Sequence, residues 1–71
     1  MHESICAYIA IKNHVNDYVK ETGTTKDAIA DKLGIGRSSF YDRLSGRRSW
    51  FIDEVIALSR LLGCSIDSLL V

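Results

Sequence analysis

Lys26-Asp27-Ala28-Ile29-Ala30-Asp31-Lys32-Leu33-Gly34-Ile35-Gly36-Arg37-Ser38-Ser39-Phe40-Tyr41-Asp42-Arg43-Leu44-Ser45-Gly46 reads as two short helices joined by a turn that must stay tight. Ala30 is small where two helices would cross closely, and Gly34 four residues later can take the left-handed conformation that ends a helix without a Cβ penalty. Ile29, Leu33, Ile35 and Phe40 place apolar side chains where both helices would face one core. The arrangement is a helix-turn-helix, a unit whose second helix can lie in the major groove of DNA.

Outward from this stretch the periodicity predicts further helices. Ile5, Tyr8, Ile9, Lys12, Val15, Tyr18 and Val19 recur at three- and four-residue spacings, a first helix from about Ser4 to Glu21 with Lys12 as the one polar member of its stripe. Gly23 ends it, Thr24 or Thr25 caps the second helix, and Asp27 in the first turn suits the helix dipole. The third helix covers about Arg37 to Ser45, with Phe40 and Leu44 facing the core. Ser49 is the expected cap of a fourth, whose apolar face is Phe51, Ile52, Val55, Ile56, Leu58, Leu61 and Leu62. Gly63 stops it, and Ser65 caps a last turn or two carrying Ile66, Leu69 and Leu70. The expected fold is all-α, a compact bundle of about five short helices in one domain over residues 1–71.

Composition narrows the function classes. The 46% hydrophobic content supports a packed core rather than disorder, and no apolar run approaches the ~20 residues that span a bilayer. His2 and Glu3 stand where a secretory signal would carry basic residues, so a cytoplasmic protein with no membrane partner is expected. Cys6 and Cys64 have no neighbouring cysteine, and with His2 and His14 they lack the paired spacing of a zinc site; reduced core thiols and no metal are expected. Nothing pairs a nucleophile with a base or cradles a phosphate in a glycine loop, so neither catalysis, cofactor nor small-molecule substrate is expected.

Net charge is zero, but its distribution is uneven. Residues 1–36 hold four lysines against five acids, and residues 49–71 hold Arg60 against Asp53, Glu54 and Asp67. Between them Arg37, Arg43, Arg47 and Arg48 face Asp42 alone, on the third helix and the loop after it. A local positive excess in that place suits a phosphate-facing edge.

The chain resembles the lambda-repressor-like domains of phage repressors and Cro proteins. The resemblance rests on Ala30-xxx-Gly34, Ile35 in the turn, Gly36-Arg37-Ser38-Ser39-Phe40, Gly46-Arg47-Arg48, the helix from Ile52 to Leu62, and the closing Leu62-Gly63-Cys64-Ser65-Ile66-Asp67-Ser68-Leu69-Leu70. It covers about residues 24 to 70. One position departs: three residues after Phe40 the family usually has an apolar side chain, and here it is Arg43, with Leu44 next door able to fill the core.

The resemblance implies a transcription regulator that occupies an operator on double-stranded DNA through its third helix, of phage or prophage type. Arg37 at that helix's start would bond guanine O6 and N7, or a phosphate; Ser38 beside it would meet a base or a phosphate. Tyr41 would reach a thymine methyl or a phosphate, or shield the core. Asp42 would accept from cytosine N4 or pair with a nearby arginine. Arg43, Arg47 and Arg48 would bind phosphates, as would Thr25 and Lys26, whose helix start resembles the family's backbone anchor. Such proteins bind inverted repeats as two-fold dimers, and Ile66, Leu69, Leu70 and Val71 are the apolar candidates for a homodimer contact, or else simply close the core. Two other functions fit the same pattern. One is a protein-binding module, anti-repressor or antitoxin-like, suggested by the zero net charge. The other is an excision factor that bends DNA.

Overall fold

The computed structural model describes residues 8–70; the expectations for His2, Ser4, Ile5, Cys6 and Val71 lie outside that range. Five helices follow one another: α1 (Tyr8–Thr22), α2 (Lys26–Leu33), α3 (Arg37–Ser45), α4 (Ile52–Leu62) and α5 (Ile66–Leu70). The all-α bundle read from the periodicity is the fold. α1 packs on α3, α4 and α5, α2 packs on α3 and α4, and α5 closes against α4.

The ends are set by local chemistry. Thr25 is extended at φ −91° and its hydroxyl accepts the Ala28 amide at 3.1 Å, so α2 begins on a side-chain cap. At the other end Gly34 lies at φ 72°, its amide reaches the Asp31 carbonyl at 3.1 Å, and the Ile35 amide reaches the Ala30 carbonyl at 3.0 Å. That pair of bonds is a Schellman motif, and it turns the chain sharply enough that only three residues separate α2 from α3. Gly46, at φ 88°, ends α3; a Cβ there would stand 2.9 Å from the Tyr8 ring, so the first residue of α1 lies directly on the loop that carries Arg47 and Arg48.

The core contains Ile11, Val15, Ile29, Ala30, Phe40, Leu44, Trp50, Val55, Leu58 and Leu69. Its position corrects several expectations. The buried line of α1 runs through Ile11 and Val15 with Tyr8, Tyr18 and Val19 beside it, while Ile9 is 57% exposed and Lys12 only partly covered. α4 is not capped by Ser49. Phe51 occupies the cap position, extended and without a side-chain hydrogen bond, and its amide donates instead to Glu54 Oε1 at 3.1 Å. Phe51, Ile52 and Ile56 therefore lie outward rather than on the core face, and Trp50 from the preceding loop fills the space. The Trp50 ring stands edge-on to Phe40, with centroids 6.1 Å apart, and its indole N–H donates to the Arg43 carbonyl at 3.2 Å. Ser65 does cap α5, accepting the Ser68 amide at 3.3 Å. Leu69 is wholly buried and closes the core, which removes it from the expected dimer contact; Ile66 is half-buried against the core, and Leu70 is exposed. Cys64 is a partly covered thiol packed on the core. Among the described residues no helix is long and apolar enough to cross a membrane.

Candidate nucleic-acid interface

α3 buries Phe40, Leu44 and Arg43 and turns Arg37, Ser38, Tyr41 and Ser45 outward. The outward set falls at i, i+4 and i+1 spacings, one face of a helix presented edge-on to solvent. Beside it stand the start of α2, with Thr25 and Lys26, and the loop after Gly46, with Arg47 and Arg48 exposed. A groove of about 540 Å³ runs along this edge, lined by Tyr8, Lys12, Lys26, Tyr41, Asp42, Leu44, Ser45 and Arg47. Three cations from three separate segments thus line one trough next to α3. Among the described residues no cluster of His, Cys, Asp and Glu is placed to hold a metal ion.

Each expected site residue has a definite place. Arg37 extends along α2 toward its first turn, with Nη1 3.7 Å from Asp27 and Nη2 3.6 Å from Asp31. Tyr41 donates its phenolic hydrogen to Asp27 Oδ1 at 3.0 Å, and that bond holds its pKa above the ordinary value. Asp42 faces Arg47 at 3.7 Å and Arg48 at 4.0 Å, the arginine pairing rather than an open acceptor. Thr25 Oγ1 accepts the Ala28 amide in the α2 cap, and its O–H proton can still donate outward beside Lys26 at the helix start.

Arg43 does not belong to this surface. It is buried, and its Nε donates to Glu54 Oε1 at 3.0 Å, with side-chain exposures of 11% and 20% for the two partners. Contrary to the expectation from its charge, Arg43 is therefore not placed to contact a phosphate. Its three-methylene stem packs inward beside the core, and Glu54 neutralises the head. Glu54 accepts both Arg43 Nε and the Phe51 amide, so one carboxylate ties α3 to the start of α4. Arg43 Nη1 is left without a hydrogen-bond partner.

Sequence reasoning missed Lys12 as a groove residue and Asp27 and Asp31 as neighbours of Arg37. The second omission had a local signal: Asp27 and Asp31 are four apart, hence on one face of α2.

Two helices joined by a tight glycine turn, the second with an outward polar face flanked by cations, define a helix-turn-helix DNA-binding domain. A sequence profile of the bacteriophage CI repressor helix-turn-helix domain matches residues 13–71, and the chain belongs to that family. It is a DNA-binding regulator of the repressor type, with a lambda-repressor-like fold. No curated protein and no solved structure gives a significant match to the chain.

Proposed function

We propose that the chain acts in the cytoplasm as one domain that occupies an operator by laying α3 in the major groove. The reading draws most on one observation: Arg37, Ser38 and Tyr41 share the outward face of α3, directly after the Gly34 turn, with cations on both sides. Arg37 and Ser38 then meet base edges, and Tyr41 lies a turn further along. Lys12, Lys26 and Arg47 line the groove through which one phosphate strand would run, and Arg48 meets a phosphate from the loop. A two-fold dimer would use exposed Leu70 with half-buried Ile66, and would place two copies of α3 on half-sites one helical turn apart. No catalytic step is assigned to the chain.

Two arginine variants test this division of labour. Arg37→Ala is expected to cost about 1–3 kcal/mol at the preferred site and to relax preference at one base pair per half-site. Arg48→Ala is expected to weaken every duplex alike and to lower the slope of log affinity against log salt by about one. Equal losses on all sequences from both variants would reject base readout by Arg37.

Lys12 offers a second check, because nothing in the helix-turn-helix pattern points to it. Lys12→Ala is expected to lower the salt slope by about one per bound subunit while leaving the order of sequence preference intact. Lys20→Ala, at an exposed position in the last turn of the same helix, is expected to leave the slope unchanged. A slope left unchanged by Lys12→Ala as well, in a titration at several salt concentrations, would remove α1 from the interface.

A further inference from the structure

We infer that Asp27 and Asp31 set the selectivity of α3, by holding Arg37 in an acidic clasp that a phosphate cannot replace as readily as a guanine edge can. The inference rests on the operator reading above and assigns a role to two residues outside it. The guanidinium has Asp27 Oδ2 at 3.7 Å on Nη1 and Asp31 Oδ2 at 3.6 Å on Nη2. The other oxygen of Asp27 is occupied by the Tyr41 hydroxyl at 3.0 Å, so one carboxylate aligns the two longest side chains of the reading face. All three members of the clasp are exposed, with side-chain exposures of 61% for Arg37, 44% for Asp27 and 65% for Asp31. Exposed pairs at such distances add little to stability, so their value to the fold does not explain them.

The charges explain more. One guanidinium between two carboxylates leaves a net charge of −1 at the place where the helix-turn-helix approaches DNA. A phosphate approaching Arg37 meets two carboxylates and is repelled. Guanine O6 and N7 are neutral acceptors, and they take the two outer N–H groups without adding a third negative charge. The clasp therefore penalises backbone contact more than base contact, and Arg37 contributes to discrimination rather than to general affinity. A cationic face without acids would do the opposite, since phosphate attraction supplies most non-specific binding.

The test compares a selected high-affinity duplex with a scrambled duplex of equal length, by fluorescence anisotropy at one moderate salt concentration. Asp31→Asn is expected to tighten binding to the scrambled duplex about threefold, the size of one unit repulsion at ~7 Å through water. Binding to the selected duplex is expected to change by less than half that factor, so the ratio of the two affinities falls. Asp27→Asn, which removes the charge but keeps an amide oxygen that can accept from Tyr41, is expected to lower the ratio in the same direction. Asp17→Asn, the same charge change at an exposed position of α1, is expected to leave the ratio unchanged. Thermal melts of each variant establish that the compared proteins are folded. If Asp31→Asn tightens both duplexes equally, or leaves both unchanged, the inference is overturned while the operator reading remains. A wild-type protein that binds both duplexes equally overturns the two together.

Discussion

Trp50→Ala is expected to cost the fold about 3–5 kcal/mol, the range for deleting a large buried aromatic side chain. At ~0.05–0.15 kcal/mol per residue, a domain of this length has roughly 4–11 kcal/mol in total, so the variant would lose a large share of its stability. Three observations support the size of the effect. Trp50 is fully buried, its ring meets Phe40 edge-on, and its N–H supplies a partner to the carbonyl of Arg43. Trp50→Phe keeps most of the volume and the aromatic contact but leaves that buried carbonyl without the indole donor. Its expected cost is about 1–2 kcal/mol. Urea unfolding followed by circular dichroism separates the two variants. A loss below about 1 kcal/mol for Trp50→Ala would contradict the placement of this ring.

The second large effect concerns Glu54. Glu54→Ala is expected to cost about 3 kcal/mol, because it leaves the Arg43 guanidinium buried without its counter-charge and removes the acceptor of the Phe51 amide. Arg43 Nη1 already lacks a partner, so little remains to satisfy the head once Glu54 is gone. The pair is not an economical source of stability, however. Replacing both residues, Arg43→Met with Glu54→Gln, restores an apolar side chain to the slot and keeps an acceptor near Phe51; more than half of the loss is expected to return. Failure of the double variant to recover, in the same unfolding assay, would mean that Arg43 is held by something other than Glu54.

Both predictions turn on contacts that the local sequence pattern does not reveal, and the reasons are physical. Helix periodicity assigned the ends of α2 and α3 well because Thr25, Gly34 and Gly46 act on their own neighbours within a few residues. Phe40 and Ile29 were legible for the same reason: each is an apolar residue on the one face its helix could bury. On α1 the same rule allowed two registers. A stripe through Tyr8, Lys12 and Val15 and one through Tyr8, Ile11 and Val15 both satisfy three- and four-residue spacing, and only the packing of α3, α4 and α5 against α1 selects Ile11. Trp50 precedes α4 and lies in no helix, so periodicity says nothing about its burial.

Arg43 shows the limit at the candidate site. Its charge and its place among four arginines pointed to phosphate, whereas its fate depends on Glu54, eleven residues away. A carboxylate on the neighbouring helix decides whether an arginine faces water or the core, and that pairing is a property of the fold. The same holds for Arg37. Its position at the start of α3 was readable, but the two carboxylates beside it come from α2 and meet it only because the Gly34 turn brings the helices together. Asp42 was legible in part, since Arg47 and Arg48 follow it closely in the chain.

Operator recognition through α3 is most directly tested by selecting binding sites from a random duplex library at moderate salt, then titrating the enriched duplex at two salt concentrations. The expected result is an inverted repeat with half-sites about one helical turn apart, bound with an affinity that falls steeply as salt rises. Enrichment of a single unrepeated half-site would retain readout by α3 and remove the proposed dimer. No enrichment, with weak and salt-insensitive binding, would contradict the account and point to a protein partner for this face.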